Sequence, residues 1–186
     1  DASFHYSPPK RYLQAPTASA VKDAVRLLLG AKKPLIWSGM GTLMAQASPG
    51  LQQLAELLEI PVYCTMPGKS GFDERHPLAL GAGSGATGLH ARKWIQECDV
   101  LLALGSSLTR TGYGQPIPDG KAMIHNTESL EDIGKDYNID VGLPGDVKLT
   151  IDMLLDEVKG QLGANGRKGQ SNVAAEIAEI KQQWLS

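Results

Sequence analysis

Short apolar runs alternate with amphipathic segments along most of the chain. The runs lie at residues 34–37, 60–65, 100–104, 122–125 and 139–141, and they are typical of buried parallel strands. Between them, apolar residues recur at helical spacing in residues 18–29, 87–96 and 129–134 and in the segments that begin at Ser48 and Asp146. This alternation predicts an α/β fold: a doubly wound, Rossmann-like parallel sheet of about six strands with helices on both faces.

Several residues at helix ends carry specific predictions. Thr17 and Asp146 have short polar side chains that can cap the first and last helices of the sheet domain. Gly30 can end the first helix in the left-handed conformation. Ser48 is expected to cap the next helix, with Pro49 at the first helical position, where its missing N–H costs nothing.

The chain divides by composition into four segments. Residues 1–16 contain a Ser-Pro-Pro-Lys stretch and are predicted to be an interdomain linker, so we expect the chain to be part of a longer polypeptide. Residues 17–160 are predicted to form the central Rossmann-like domain. Residues 161–170 are glycine-rich and polar, which predicts a flexible linker, and residues 171–186 are predicted to form a helix that leads to a next domain. One side of that helix carries Val173, Ile177, Ile180 and Trp184, which predicts that it packs back on the domain or contacts a neighbouring domain.

Loops at the carboxyl ends of parallel strands are where ligands bind in such sheets. The four candidate loops are residues 38–41, 81–88, 105–110 and 125–129, and the first three are rich in glycine. The first suits either a phosphate or a tight strand exit with no ligand. In the third, hydroxyls and Arg110 could hold a phosphate, and a plain surface loop is equally consistent. The fourth, which contains Thr127, is where ribose hydroxyls would be read. The G-x-G-x-x-G at residues 83–88 does not meet the dinucleotide fingerprint, because Asp99 opens the following strand instead of closing it.

Composition excludes several classes of function. The formal net charge is -2 and no segment concentrates Lys or Arg, so a nucleic-acid surface has no support. The apolar runs are far too short to cross a membrane. The two cysteines, Cys64 and Cys98, are predicted to be buried thiols, which favours a reducing, cytoplasmic location. The four histidines are scattered and no catalytic motif is present, so the sequence predicts neither a metal site nor catalytic residues.

The order of segments resembles the central domain of thiamine-diphosphate-dependent enzymes such as acetolactate synthase, pyruvate oxidase and related 2-oxo-acid decarboxylases. The resemblance covers about residues 8–158. The segments that carry it are PLIWSGMG (34–41), IPV (60–62), GKS (68–70), HPL (76–78), CDVLLALG (98–105), IGK (133–135) and GDV (145–147).

The resemblance implies a DHS-like NAD/FAD-binding fold between two flanking domains that hold thiamine diphosphate and Mg²⁺. The parent enzyme would decarboxylate or join 2-oxo acids as a homodimer or homotetramer, and this chain alone would be inactive. In some members the central domain binds FAD or ADP, and in others it is empty. Positions that touch FAD in flavin-containing members correspond here to Gly39, Met40, Gly41, Thr65, Met66, Gly105, Ser106 and Asp146. Ser107 stands where acetolactate synthases place an arginine, and Thr127 stands near their acidic residue for the nucleotide.

Two alternatives from other classes remain open. The glycine loops also suit a self-standing NAD(P)- or FAD-binding module, which stoichiometric bound nucleotide would identify. The amphipathic helix at residues 171–186 also suits an interaction module that docks a partner through Ile177 and Ile180.

Overall fold

Six parallel strands form one sheet in the order β3-β2-β1-β4-β5-β6. The computed structural model describes residues 6–10, 12–84 and 87–185. The strands are β1 (Pro34–Ser38), β2 (Val62–Thr65), β3 (Ala79–Gly83), β4 (Val100–Leu104), β5 (Ala122–Thr127) and β6 (Val141–Pro144). The helices are α1 (Ala18–Gly30), α2 (Met40–Met44), α3 (Ser48–Leu58), α4 (Leu89–Glu97), α5 (Val147–Leu162) and α6 (Val173–Leu185), with a 3-10 turn at Leu130–Asp132. The predicted doubly wound sheet of about six strands is confirmed.

Each face of the sheet has its own hydrophobic core because the strands are buried on both sides. On one face α1, α3 and α5 pack together over side chains such as Ile36 and Leu102. On the other face α4 and α6 pack over Leu35, Leu101 and Tyr63. Side chains alternate along a strand, so neighbouring residues of the same apolar run serve opposite cores.

Strand order reverses between β1 and β4, which are direct neighbours in the sheet. Ile36 of β1 pairs with Val62 on one side and with Leu102 on the other. The chain moves outward from β1 to β2 and β3, and from β4 to β5 and β6. The loops after β1 and β4 therefore leave the sheet side by side at a topological switch point, where ligands bind in open α/β sheets.

Several predicted details of the elements are wrong. Gly30 is the last residue of α1 and has no positive φ, because the chain turns straight into extended backbone at Ala31. Ser48 is the first residue of α3 and Ala47 is its N-cap, so Ser48 makes no capping bond. The edge strand predicted at residues 139–141 lies later, at β6, where it pairs with β5. The caps at Thr17 and Asp146 are confirmed by bonds from Ala20 N–H (3.3 Å) and Leu149 N–H (2.9 Å).

Two elements were not predicted at all. β3 occupies part of the predicted glycine loop at residues 81–88, because its small residues give no apolar run. Gly81 has φ of 80° at an irregularity in the pairing of β2 with β3, a backbone position that favours glycine. The five-residue α2 follows β1 directly and is too short to show a helical period. Gly85, within the same predicted loop, lies outside the described residues.

The segment after α5 makes specific contacts with the sheet domain. Gln161 and Leu162, predicted to begin a flexible linker, are the last residues of α5. Beyond them, Arg167 N–H donates to Leu57 O (2.8 Å), and the Glu59 carboxylate accepts from the N–H groups of Gly169 and Ser171 (both 2.7 Å). These bonds attach the segment to the end of α3. The predicted segment boundaries stay predictions.

The C-terminal helix α6 packs back onto the domain. Ile177 and Ile180 are 1% and 4% exposed, whereas Trp184, on the same predicted stripe, is 57% exposed. Lys33 pairs with Glu176 of α6 and Glu97 of α4, each at 2.7 Å. The expectation that this helix packs back on the domain is confirmed at Ile177 and Ile180, whereas Trp184 stays exposed.

Candidate functional site

A cleft of about 800 Å³ lies at the carboxyl ends of β1, β2 and β4. Its floor is the switch point between β1 and β4, and one wall is the loop that follows β4, residues 105–119. This is the position that the sheet topology predicts for a ligand. The cleft also takes in Gly83 and Ser84 at the end of β3, so part of the unpredicted edge strand contributes to its rim.

Eight of the ten predicted cofactor-binding residues line this cleft. They are Gly39, Met40, Gly41, Thr65, Met66, Gly105, Ser106 and Arg110. The other two lie outside its lining and make local caps instead. The Asp146 carboxylate caps α5, and Thr127 is buried with its hydroxyl accepting from Ser129 N–H (3.2 Å).

Gly39, Gly41 and Gly105 lie on the floor of the cleft, where the turn after β1 crosses and contacts the turn after β4. Gly39 N–H donates to Leu104 O (2.9 Å), and Gly41 N–H donates to Gly105 O (2.8 Å). A Cβ on Gly39 would lie 2.7 Å from Ser106 Cα, and a Cβ on Gly105, whose φ is 59°, would lie 2.6 Å from Thr42 N. Glycine is needed here for contact between the two turns, and the N–H groups of Gly39 and Gly41 are already bonded within the protein.

Asn126 of β5 bonds the turn after β4 to β6 and α5 and so stabilises the contact between the two turns. Its side-chain amide donates to Leu143 O (2.8 Å), Gly145 O (3.0 Å) and the Thr150 hydroxyl (3.0 Å). Its carbonyl oxygen accepts from Gly105 N–H (3.2 Å). One fully buried side chain therefore links β4, β6 and α5. Asn126 lies within the predicted loop at residues 125–129, but the sequence gives it no linking role, although a polar residue next to the apolar run of β5 is a usable signal.

The loop wall is attached at two points, one on β5 and one on the connection between β5 and β6. His125 is fully buried, and its Nε2 bonds to Ser106 O (2.7 Å), which places the proton on Nε2. Further along, Arg110 N–H donates to the Asp136 carboxylate (2.8 Å). Burial lowers the pKa of His125, so the neutral form is favoured, and its Nδ1 has no hydrogen-bond partner among the described residues.

The chemistry of the lining suits binding rather than acid–base catalysis. In the described part of the cleft, Arg110 is the only cation and Asp119 the only carboxylate, and no His, Cys, Glu or Lys contributes. The rim is apolar at Met40 and Met66, which are both 54% exposed. Gln115 Oε1 is buried without a hydrogen-bond partner among the described residues, so the cleft wall contains an acceptor that lacks a donor.

Metal and thiol chemistry find no support in the described residues. Within residues 6–10, 12–84 and 87–185, no group of three or more His, Cys, Asp or Glu side chains could hold a metal ion. Cys64 and Cys98 are free, buried thiols, as predicted. Burial raises the pKa of each thiol to about 11, which keeps it protonated and unreactive near neutral pH. In the same part of the chain, no helix has both the length and the apolar character needed to span a membrane.

Comparison with known proteins gives a consistent picture. The family described as "Thiamine pyrophosphate enzyme, central domain" matches residues 21–154. A probable acetolactate synthase large subunit of Methanococcus aeolicus is 38% identical over 148 residues, which cover 76% of this chain and 23% of that protein. A sulfoacetaldehyde acetyltransferase of Roseovarius nubinhibens is 33% identical over 173 residues, which cover 89% of this chain and 28% of that protein.

A solved structure agrees on the fold. Benzoylformate decarboxylase from Polynucleobacter necessarius superimposes with a TM-score of 0.72 at 23% identity, over 92% of this chain and 31% of that one. The chain thus spans about a quarter of the length of the curated relatives described above, 23% and 28%.

Proposed function

Since this chain belongs to the family of central domains of thiamine pyrophosphate enzymes, we propose that its parent enzyme decarboxylates or joins 2-oxo acids in the manner of acetolactate synthase. The names of two similar proteins, a probable acetolactate synthase large subunit and an acetolactate synthase, support this assignment. We place thiamine diphosphate, which supplies the reactive carbanion, and Mg²⁺ on flanking domains of the parent. A homodimer or homotetramer is the proposed assembly of the parent.

In this proposal the chain itself contributes a nucleotide site and no catalytic group. The observation that carries it is the cleft at the switch point between β1 and β4, where eight predicted residues meet. The proposed ligand is FAD or ADP. Both offer a flat ring for the apolar rim at Met40 and Met66, and phosphates for the hydroxyl-rich segment that ends at Arg110.

The hydrogen bonds already made by the cleft lining limit where the phosphates of a nucleotide could bind. Gly39 and Gly41 line the cleft, but their N–H groups donate to Leu104 O and Gly105 O. The glycine turn after β1 therefore offers these two donors to no ligand. The phosphates are assigned instead to the wall after β4, where Ser106, Ser107 and Arg110 line the cleft.

The same cleft would also serve a self-standing nucleotide-binding module, the second candidate. The family match over residues 21–154 favours the central domain. The third candidate, a partner-docking module that uses Ile177 and Ile180, is disfavoured because both side chains are buried and Ile177 belongs to the second core.

Calorimetric titration of the purified chain with FAD, ADP and NAD, beside an absorbance scan for flavin, tests the nucleotide site. We expect FAD or ADP to bind with a dissociation constant in the micromolar range or below. Met66→Glu places a carboxylate on the cleft rim and should weaken binding, whereas Met44→Glu makes the same change on an exposed residue outside the lining.

Three outcomes decide between a binding domain and a scaffold. Binding that is lost in Met66→Glu and kept in Met44→Glu supports the cleft. Binding that survives in both variants places the ligand elsewhere. No heat and no flavin leave the domain as a scaffold. The same preparation, given thiamine diphosphate, Mg²⁺ and pyruvate, is expected to release no carbon dioxide.

A further inference from the structure

The guanidinium of Arg110 forms no ion pair with a carboxylate of the described residues. Its backbone N–H is bonded to Asp136, but among the described residues no carboxylate lies within ion-pair distance of its guanidinium. Its guanidinium carbon lies 4.7 Å from the centre of the Tyr137 ring. Both residues line the cleft. Among the described lining residues, the one cation thus contacts an aromatic ring and keeps its charge available.

The backbone on which Arg110 stands is held in place. The bond from His125 to Ser106 O (2.7 Å) fixes the start of the loop, and Asp136 fixes the backbone of Arg110 at 2.8 Å. Leu108, between these two points, is buried. With its Cα so held, the direction of the Arg110 side chain depends on what its guanidinium contacts.

A free arginine side chain loses rotamer entropy when it binds a ligand. Contact with the face of an aromatic ring restricts the guanidinium before the ligand arrives, and it leaves the N–H donors at the edge of the plane unoccupied. Tyr137 is itself half-buried and packs against the second core, so it is a firm support. The arrangement is that of a pre-oriented anion-binding group.

We propose that Tyr137 is a positioning residue that orients Arg110 to receive a phosphate or diphosphate group in the cleft. The inference rests on the nucleotide part of the proposed function. It adds that the phosphate end of the ligand lies at the wall after β4. The orientation of Arg110 should depend on the aromatic ring of Tyr137 and not on its hydroxyl, because the guanidinium lies over the ring.

The test compares the wild-type chain with Tyr137→Phe, Tyr137→Leu and Arg110→Gln, using ADP and adenosine as ligands. Arg110→Gln should weaken ADP binding about tenfold, the loss of one charge-assisted contact. Tyr137→Leu should weaken it about threefold, as the loss of an exposed cation–π contact implies. Tyr137→Phe keeps the ring and should match the wild type. Adenosine, which carries no phosphate, should bind all four proteins alike, with equal thermal stability as a check on folding.

The result that overturns the inference is equal ADP affinity in Tyr137→Leu and the wild type, and this leaves the nucleotide site intact. Equal losses in Tyr137→Phe and Tyr137→Leu would also overturn it. If the wild type binds neither ADP nor adenosine, the nucleotide proposal fails, and inorganic pyrophosphate then tests the inference alone. A pyrophosphate-dependent shift of the Arg110 Nε–H resonance that Tyr137→Leu lacks supports it, and no shift in the wild type refutes it.

Discussion

Replacement of Gly39 by alanine tests whether the crossing of the two turns shapes the cleft floor. Gly39 has φ of -96° and ψ of -175°, extended backbone that any residue adopts, so the substitution introduces no backbone strain of its own. The added Cβ would instead lie 2.7 Å from Ser106 Cα, and Gly105 O is closer still. These are backbone atoms held by the bond from Gly41 N–H to Gly105 O, so no flexible side chain can move aside.

Overpacking of this kind should lower the free energy of unfolding of Gly39→Ala by about 1–3 kcal/mol. Gly30→Ala is the matched control, because Gly30 ends α1 and a Cβ there meets nothing within 4 Å. That variant should be stabilised by about 0.5–1 kcal/mol, since alanine loses less backbone entropy on folding. A cost of about 2 kcal/mol at Gly39 corresponds to a melting temperature lower by roughly 4–8 °C in a chain of this size.

Thermal and urea unfolding of both variants, followed by circular dichroism, measures the difference. The reasoning is refuted if Gly39→Ala unfolds at or above the wild-type temperature, because the two turns would then be able to separate without cost. A loss of nucleotide affinity in Gly39→Ala beyond its loss of stability would further show that the crossing sets the shape of the floor.

Two further predictions follow from buried titratable groups. Burial lowers the pKa of His125 below its ordinary value of 6.5. As the pH falls through 6.5, the unfolded chain therefore binds more protons than the folded chain. The free energy of unfolding decreases over this pH range. Urea unfolding between pH 7 and pH 5 should show this loss, and His125→Gln should reduce its slope; an unchanged slope would contradict the assignment. Cys64 and Cys98, whose thiol pKa values are raised to about 11, should react with a disulfide reagent at pH 8 only after unfolding. Rapid reaction of either thiol in the native chain would show that its burial is incomplete.

The strands that the sequence located best are the ones buried on both faces. β4 was predicted with its observed bounds, because a strand covered on each side needs an uninterrupted apolar run. β3 was missed for the opposite reason: it is an edge strand, and Ala79, Gly81 and Gly83 give it no apolar pattern. The formation of β3 depends on pairing with β2, which lies too far away in the chain for a local sequence pattern to indicate it.

For the site, the sequence located the loops but not their contacts. Eight of the predicted residues converge on the cleft because the carboxyl ends of parallel strands share one edge, a consequence of topology that alternation alone predicts. Thr127 and Asp146 also lie at strand ends, yet their side chains face inward to local caps, a direction that loop position does not specify.

The sequence by itself determined the fold class, the family and the edge of the sheet where a ligand would bind, since all three follow from local patterns and the order of short motifs. Only the tertiary structure decided that Gly39 and Gly105 serve the contact between two turns, that Asn126 joins three elements beneath them, and that Arg110 lies over Tyr137. Each of these joins residues that are far apart in the chain or in different elements, and their distances are set by packing, which no single segment encodes.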